Sequence, residues 1–389
     1  MRMPLRQNPL SLLVLFSLFL EGFWSQTMGR IGPPHGGTLP SRSRNGIILG
    51  AILPANESLA SFNAHTRIEH AAFLRFVPFP NIVVNWTERA KAHLFLEECR
   101  ENGAMAALTL ETMGGLNNYT AKHVEYLADF LNKWNDTVPI FIRYNHEMNG
   151  SWYPWGQQPD LYIAKFNEFA RIMKNRTSHV AMVWTPNLEW GFPWPEGPYY
   201  NASIDQDGDI VDDAFWQFLP DQDLVDWVGM SVYYWGCEEP DGVCAPGYNT
   251  LPKTRMFRDA VLTFYANVTQ RLNKPMMISE TAALFNTDRL GASEAAIKTA
   301  WMRQVYGWSQ DHHLIRAIFW FNQHKFEKEI NGEVDWRLDG NDDVVLSYRQ
   351  IVGDDQQFIK SSIRSPMAAE LGVTHRLRTV SSDRREGPD

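Results

Sequence analysis

Two short stretches of this 389-residue chain carry the residue types that could do chemistry. One is Arg143-Tyr144-Asn145-His146-Glu147-Met148-Asn149-Gly150, which runs on through Trp152 and Trp155. The other is Met276-Met277-Ile278-Ser279-Glu280. Each is an apolar, strand-like run that ends on a glutamate. Cleaving a glycosidic bond requires one carboxyl group that delivers a proton and a second that acts from the opposite side. Flat indole rings nearby suit the apolar C–H faces of a sugar. A glutamate at a strand end is also a common salt-bridge partner or helix cap. The assignment therefore turns on whether the rest of the chain brings Glu147 and Glu280 together.

Apolar runs recur over 46–53, 71–79, 104–112, 139–147, 179–187, 226–234, 275–281 and 315–322. Helical periodicity fills most of the intervals, most clearly over 88–102 (stopped by Gly103), 120–134, 161–174, 254–272 and 293–308. Near-continuous apolar strands alternating with helices predict the α/β class and a parallel sheet covered by helices. Eight such strands close into a (β/α)8 TIM barrel, here a single catalytic domain over 46–362. An open doubly wound sheet would carry a Gly-rich turn after its first strand, whereas the first run is followed by Pro54-Ala55-Asn56. A barrel builds its active site at the C-terminal strand ends, and Glu147 ends the fourth run and Glu280 the seventh. Regular alternation places Arg143, Asn145 and Glu147 on one face, with His146 opposite unless the alternation breaks at the strand end. It likewise places Met276, Ile278 and Glu280 together, the carboxylate topping an apolar column.

A net charge of −9, with no Lys/Arg cluster ahead of the tail, excludes a nucleic-acid binder. Residues 1–26 join Arg2 and Arg6 to an apolar run over 10–20 and a small, polar exit, the layout of a secretory signal peptide. A linker over 27–45 and a polar tail over 363–389 flank the domain. The expectation is a secreted, extracellular monomer with no membrane contact after signal removal. Asn56, Asn85, Asn118, Asn135, Asn149, Asn175, Asn201 and Asn267 each open an Asn-X-Ser/Thr triplet. Asn149, inside the first motif, is expected to stay unglycosylated. Cys237 and Cys244 bracket a short turn-rich loop and are expected to pair, while Cys99 reads as a buried free thiol. Alternating acidic residues over 205–213 suggest a Ca2+ loop, but Trp216 stands where an EF-hand needs a glutamate, and a solvated acidic loop is the simpler reading.

With these residues in place, the chain resembles glycoside hydrolase family 26, the family of β-mannanases and their relatives, across roughly 46–325. His146-Glu147-Met148-Asn149-Gly150-Ser151-Trp152 is similar to that family's acid/base motif, and Ile278-Ser279-Glu280 to its nucleophile strand. The resemblance implies a retaining mechanism in which Glu280 attacks the anomeric carbon and Glu147 serves as acid, then base. The carboxyl groups of such a pair lie about 5–5.5 Å apart. It also implies that Tyr233 hydrogen-bonds the nucleophile and that Trp320 floors the sugar site, with no metal or organic cofactor required. Arg143 and His146 would attend Glu280 or the substrate, and Trp152 and then Trp155 would stack on sugar. For Trp184, Trp190, Trp194 and Trp235, packing and binding stay equally open. The sequence departs from many mannanases at Tyr153-Pro154-Trp155 and in the long segments 188–221 and 235–253. β-1,4-Mannan is the first substrate expectation. β-1,3-Xylan, mixed-linkage β-glucan and a catalytically weak carbohydrate-binding barrel remain open beside it.

Overall fold

The computed structural model describes residues 46–189, 192, 214–236 and 246–361. The expected signal and linker segments, the 205–213 acidic run, Cys237, Cys244, Trp190, Trp194, Asn201 and the polar tail lie outside these residues. In chain order the elements are β1 (Ile47–Ile52), α1 (Leu59–Thr66), β2 (Ala72–Pro78), α2 (Asn81–Val84), α3 (Trp86–Glu101), β3 (Met105–Glu111), α4 (Ala121–Leu131), β4 (Ile140–Tyr144), α5 (Pro159–Arg176), β5 (Val180–Trp184) and β6 (Trp227–Tyr234). There follow α6 (Met256–Phe264), α7 (Gln270–Leu272), β7 (Met276–Ala283), α8 (Glu294–Gln310), β8 (Ile315–Phe321), β9 (His324–Glu327), β10 (Gly332–Asp335), α9 (Asp342–Val352) and β11 (Phe358–Ile359).

Strands β1 to β8 pair in parallel in sequence order, and β8 returns to β1 from Ile48↔Ala317 to Ile52↔Phe321, so the sheet closes. This is the expected (β/α)8 barrel. All eight strands fall on the runs read from the sequence, because strands buried on both faces leave continuous apolar stretches. Helix starts follow local chemistry: Asn85 caps α3 by accepting from the Thr87 and Glu88 amides, and Ser293 caps α8 at Ala296. Helix α3 buries Ala92, Phe95, Leu96 and Cys99 against the sheet. Burial pushes the Cys99 thiol far up, so it is an inert core group. The single helix expected over 254–272 is α6 and α7 joined by a π-helical turn, Tyr265–Thr269. Periodicity did not signal α1, α9 or the β9–β10 hairpin, which rises beyond β8 with Gly332 opposite Glu327.

Where strands must approach closely, the chain uses glycine. A Cβ on Gly229 of β6 would lie 2.4 Å from the Met277 carbonyl oxygen and 2.8 Å from Ser279 Oγ, and the first of these is backbone that cannot swing aside. Gly229→Ala is expected to lower unfolding free energy by about 1–3 kcal/mol, as overpacking does. Equilibrium denaturation checks this, and an unchanged midpoint would show that β6 and β7 can separate without penalty.

Candidate active site

Strand β4 stops at Tyr144, three residues short of the expected end, because Asn145 and Glu147 turn to positive φ (44° and 54°). The left-handed region costs non-glycine residues roughly 1–3 kcal/mol and persists only where the surroundings hold it. Here they do. The Asn145 side chain accepts from the Thr112 amide and hydroxyl, and the Glu147 amide donates to Thr185 O at 2.8 Å. Asn149 exchanges hydrogen bonds with the Asn187 backbone in both directions, Nδ2 to O and Oδ1 from N. Asn149 is fully buried by this use, which leaves its amide no room for a glycan. The turn lifts Glu147 into a cavity where Trp152 Nε1 donates to its Oε2 at 2.9 Å. Burial first and the charge of Glu280 second raise the Glu147 carboxyl above the ordinary range, against the smaller opposing effects of Arg143, Ser231 and Trp152.

Glu280 reaches the same cavity by a different device. Register runs Met230↔Ile278 and then Ser231↔Glu280, so Ser279 is the extra residue of a β-bulge. The bulge corrects the simple alternation. Met276 faces the helices, where its sulfur accepts from Thr269, and Thr281 beyond the bulge faces α8 and accepts from Trp301. Glu280 therefore does not top a column of Met276 and Ile278. It points inward because one inserted residue shifted its side. There it accepts from Arg143 Nη1, from Tyr233 Oη at 2.7 Å and, more loosely, from Ser231 Oγ at 3.5 Å. Burial and the negative charge of Glu280 keep the Tyr233 phenol protonated as a donor.

The structure thus brings Glu147 and Glu280 together: His146 nitrogen and an oxygen of each carboxylate lie within 4.8 Å of one another. This trio has the residue types of a cation site. Arg143, however, already sets a positive charge against Glu280, and burial together with that guanidinium holds His146 neutral. His146 lies 4.0 Å from Glu280, too far for a hydrogen bond, and its Nε2 pairs with Tyr153 Oη at 3.1 Å instead.

A cavity of about 590 Å3 opens above the pair. One wall is Phe76, Trp152 and Tyr153; the other is Tyr233, Trp235, Phe321 and Trp336, whose rings meet edge-on or tilted at 5.1–6.3 Å. The β9–β10 hairpin region adds Lys325, Glu327 and Glu329. Four residues expected near the substrate do not line the cavity, although Arg143 meets Glu280 as expected. Trp155 is fully buried, stacks on Tyr153 at 4.4 Å and donates to His146 O at 2.7 Å, so it backs the wall rather than forming it. Trp320 pairs in register with outward Thr281, is fully buried and donates to Trp336 O, while Phe321 and Trp336 line the cavity. Arg143 is fully buried and spent on protein partners, Thr185, Ser231 and Glu280. His146, 1% exposed, likewise meets protein, not the cavity lining. Trp152 and Tyr233 do line the cavity, as does Trp235, whereas Trp184 packs in the core against Phe264. Sequence reasoning missed Ser231, Tyr153 and Glu111. Glu111 ends β3 and lines the cavity, with the same signature of an apolar run closing on glutamate that marked the other two.

The model of Glycosyl hydrolase family 26 matches residues 106–306. Endoglucanase H of Acetivibrio thermocellus is 22% identical over 284 residues, covering 69% of this chain and 27% of that protein. The chain thus corresponds to about a quarter of that relative's length. Among solved structures, GH26C from Muricauda sp. MAR_2010_75 superposes with a TM-score of 0.54 at 13% identity, over 83% of this chain and 90% of that one. The catalytic domain of the Bacillus sp. JAMB-750 GH26 endo-beta-1,4-mannanase gives 0.53 at 13% identity, over 82% and 89%. At such identities the superpositions speak for the fold.

Removing one partner of a buried ion pair strands the other charge. Arg143→Met is expected to lower stability by about 3–5 kcal/mol. Trp155→Phe, which removes the indole donor to His146 O and leaves a small cavity beside Tyr153, is expected to cost about 1–3 kcal/mol. Denaturant titration of both variants measures the gap. Equal losses would show that Arg143 is not the member that makes the buried carboxylate tolerable.

Proposed function

The chain belongs to glycosyl hydrolase family 26, and on that footing we propose that it cleaves β-linked polysaccharide with retention of configuration, β-1,4-mannan first among its substrates. The observation that carries this reading is the approach of Glu147 and Glu280 to within 4.8 Å from β4 and β7, each in a different environment. A spacing of that order suits direct attack and leaves no room for an intervening water, which inverting enzymes need.

Glu147, its pKa raised by burial and by its neighbour's charge, holds the proton that goes to the glycosidic oxygen. As the anomeric C–O bond breaks, a Glu280 oxygen forms the new bond to carbon, giving a glycosyl ester. The guanidinium and phenol that hold Glu280 aim it at the carbon. Glu147, now ionised, then takes a proton from the incoming water, which displaces Glu280 and restores both groups. Aromatic walls on both sides would grip the apolar faces of successive sugars.

Mannan is supported by a fold neighbour described as an endo-beta-1,4-mannanase. A β-glucan is the second reading, because the curated relative is described as an endoglucanase. The enclosed, wired carboxylate pair speaks against a barrel that only binds. The apolar run over 10–20 supports secretion, and the exposed Asn56, Asn85, Asn118, Asn175 and Asn267 would then be glycan sites.

Incubation with galactomannan, lichenan and β-1,3-xylan, followed by product analysis, decides among substrates. Glu280→Ala is expected to abolish turnover, and Glu147→Ala to reduce kcat by about 10²–10⁴-fold. An α-anomer as first product from a β-linked chain would sink retention. Because Glu147 must be protonated, activity should fall as pH rises through its elevated pKa, above the ordinary 4.5. The Trp152 hydrogen bond holds that pKa down, so Trp152→Phe should move the basic limb of kcat/KM to higher pH. A limb that stays put or moves to lower pH would remove Glu147 from the acid role.

A further inference from the structure

Three carboxyl groups of the cavity, Glu111, Glu327 and Glu329, have no part in the mechanism, and of these Glu111 alone ends a barrel strand. Glu111 closes β3 two residues after Thr109, which pairs in register with inward-pointing Arg143. By the two-residue alternation Glu111 points inward as well, and it lines the cavity beside Phe76, Glu147 and Tyr153. Its carboxyl makes no hydrogen bond and no ion pair among the described residues. The charged and titratable groups facing it are Glu280 from β7, Arg143 from β4, and Glu147 and Tyr153 from the turn and loop after β4. The one cation among them is already engaged by Glu280, Ser231 and Thr185. Burial and the two carboxylates push Glu111 up to about 7.

Glu111 is half-buried and without a protein partner among the described residues, so only what fills the cavity can satisfy its carboxyl oxygens. A strand-end glutamate kept for structure would cap a helix or close a salt bridge, and Glu111 does neither. Its open hydrogen-bonding capacity faces the space above the catalytic pair. We propose that Glu111 is a specificity-determining residue that hydrogen-bonds one ring hydroxyl of the sugar seated on Glu147 and Glu280. The proposal rests on the glycosidase reading above. The carboxyl replaces the water that this hydroxyl gives up on binding, and a sugar lacking the hydroxyl leaves both groups unpaired.

The test uses 4-nitrophenyl β-mannobioside and β-cellobioside, together with analogues lacking one hydroxyl at a time on the ring next to the aryl group. The more active parent sets the series. Wild-type kcat/KM is expected to fall about 10–100-fold for one analogue, the scale of a lost hydrogen bond to a charged or buried group. Glu111→Ala should lose a similar factor on the parent and show little further loss on that analogue. Glu111→Gln, nearly isosteric, should fall between, and matched melting temperatures would show that folding is intact. Equal discrimination by wild type and Glu111→Ala against every analogue would overturn the proposal, as would parent activity of Glu111→Ala within twofold of wild type. Failure of the glycosidase reading looks different: wild type would then release no nitrophenol from either parent and no sugar from the polysaccharides.

Discussion

One guanidinium ties the functional end of the barrel together. Arg143 rises from β4 and reaches Thr185 just past β5, Ser231 on β6 and Glu280 on β7. Two carboxyl groups within 4.8 Å and nearly out of water could not both be accommodated without it. Such a buried pair adds little net stability, since desolvation offsets much of the attraction. What it supplies is position: a planar fork with fixed donor directions aims Glu280 while cross-linking the ends of four adjacent strands. The asymmetry of the site follows. The guanidinium is set against Glu280, and Glu147 is the carboxyl that burial raises above its ordinary range.

Each carboxylate is presented by a break in regular structure. On β4 the break is a pair of left-handed residues that stops the strand early; on β7 it is one inserted residue. Regular strands would have set the geometry by parity alone, and parity would have turned Glu280 toward the helices with Met276. The bulge also lets Ser231 and Tyr233, two apart on β6, both meet Glu280. Strain and irregularity of this kind gather where function requires a geometry that a smooth sheet cannot give.

The barrel itself was legible because its strands are buried on both sides and read as apolar runs, and the strand-end glutamates were legible because they close such runs. Glu111 closes β3 in the same way, but no tryptophan or histidine stands beside it in the sequence to single it out. The bulge left no mark, since Ser279 resembles any small strand residue until the register with β6 is known. Trp155 and Trp320 show the opposite error. Richness in aromatic residues located the right segments, but a loop tryptophan that donates to a backbone carbonyl and one that faces a binding space have the same sequence signature. The hairpin wall was invisible because four-residue strands, His324–Glu327 and Gly332–Asp335, offer too short a pattern to distinguish from loop.

These differences explain why the reaction type is easier to read than the substrate. Cleavage needs two carboxyl groups at fixed points, and strand ends supply fixed points. Telling mannose from glucose depends on which hydroxyl finds a partner, and the candidate partners sit at the edges: Glu111 at the lip of β3, and Lys325 with Glu327 at 3.1 Å on the hairpin. Glu327 is itself held by Trp336 Nε1 at 2.8 Å, so the ring that walls the cavity also fixes the charge beside it. A substrate in this cavity would meet apolar faces along its length and charged groups at the margins. Glu111 and the guanidinium are not independent, since the charge of Arg143 acts on both Glu111 and Glu147.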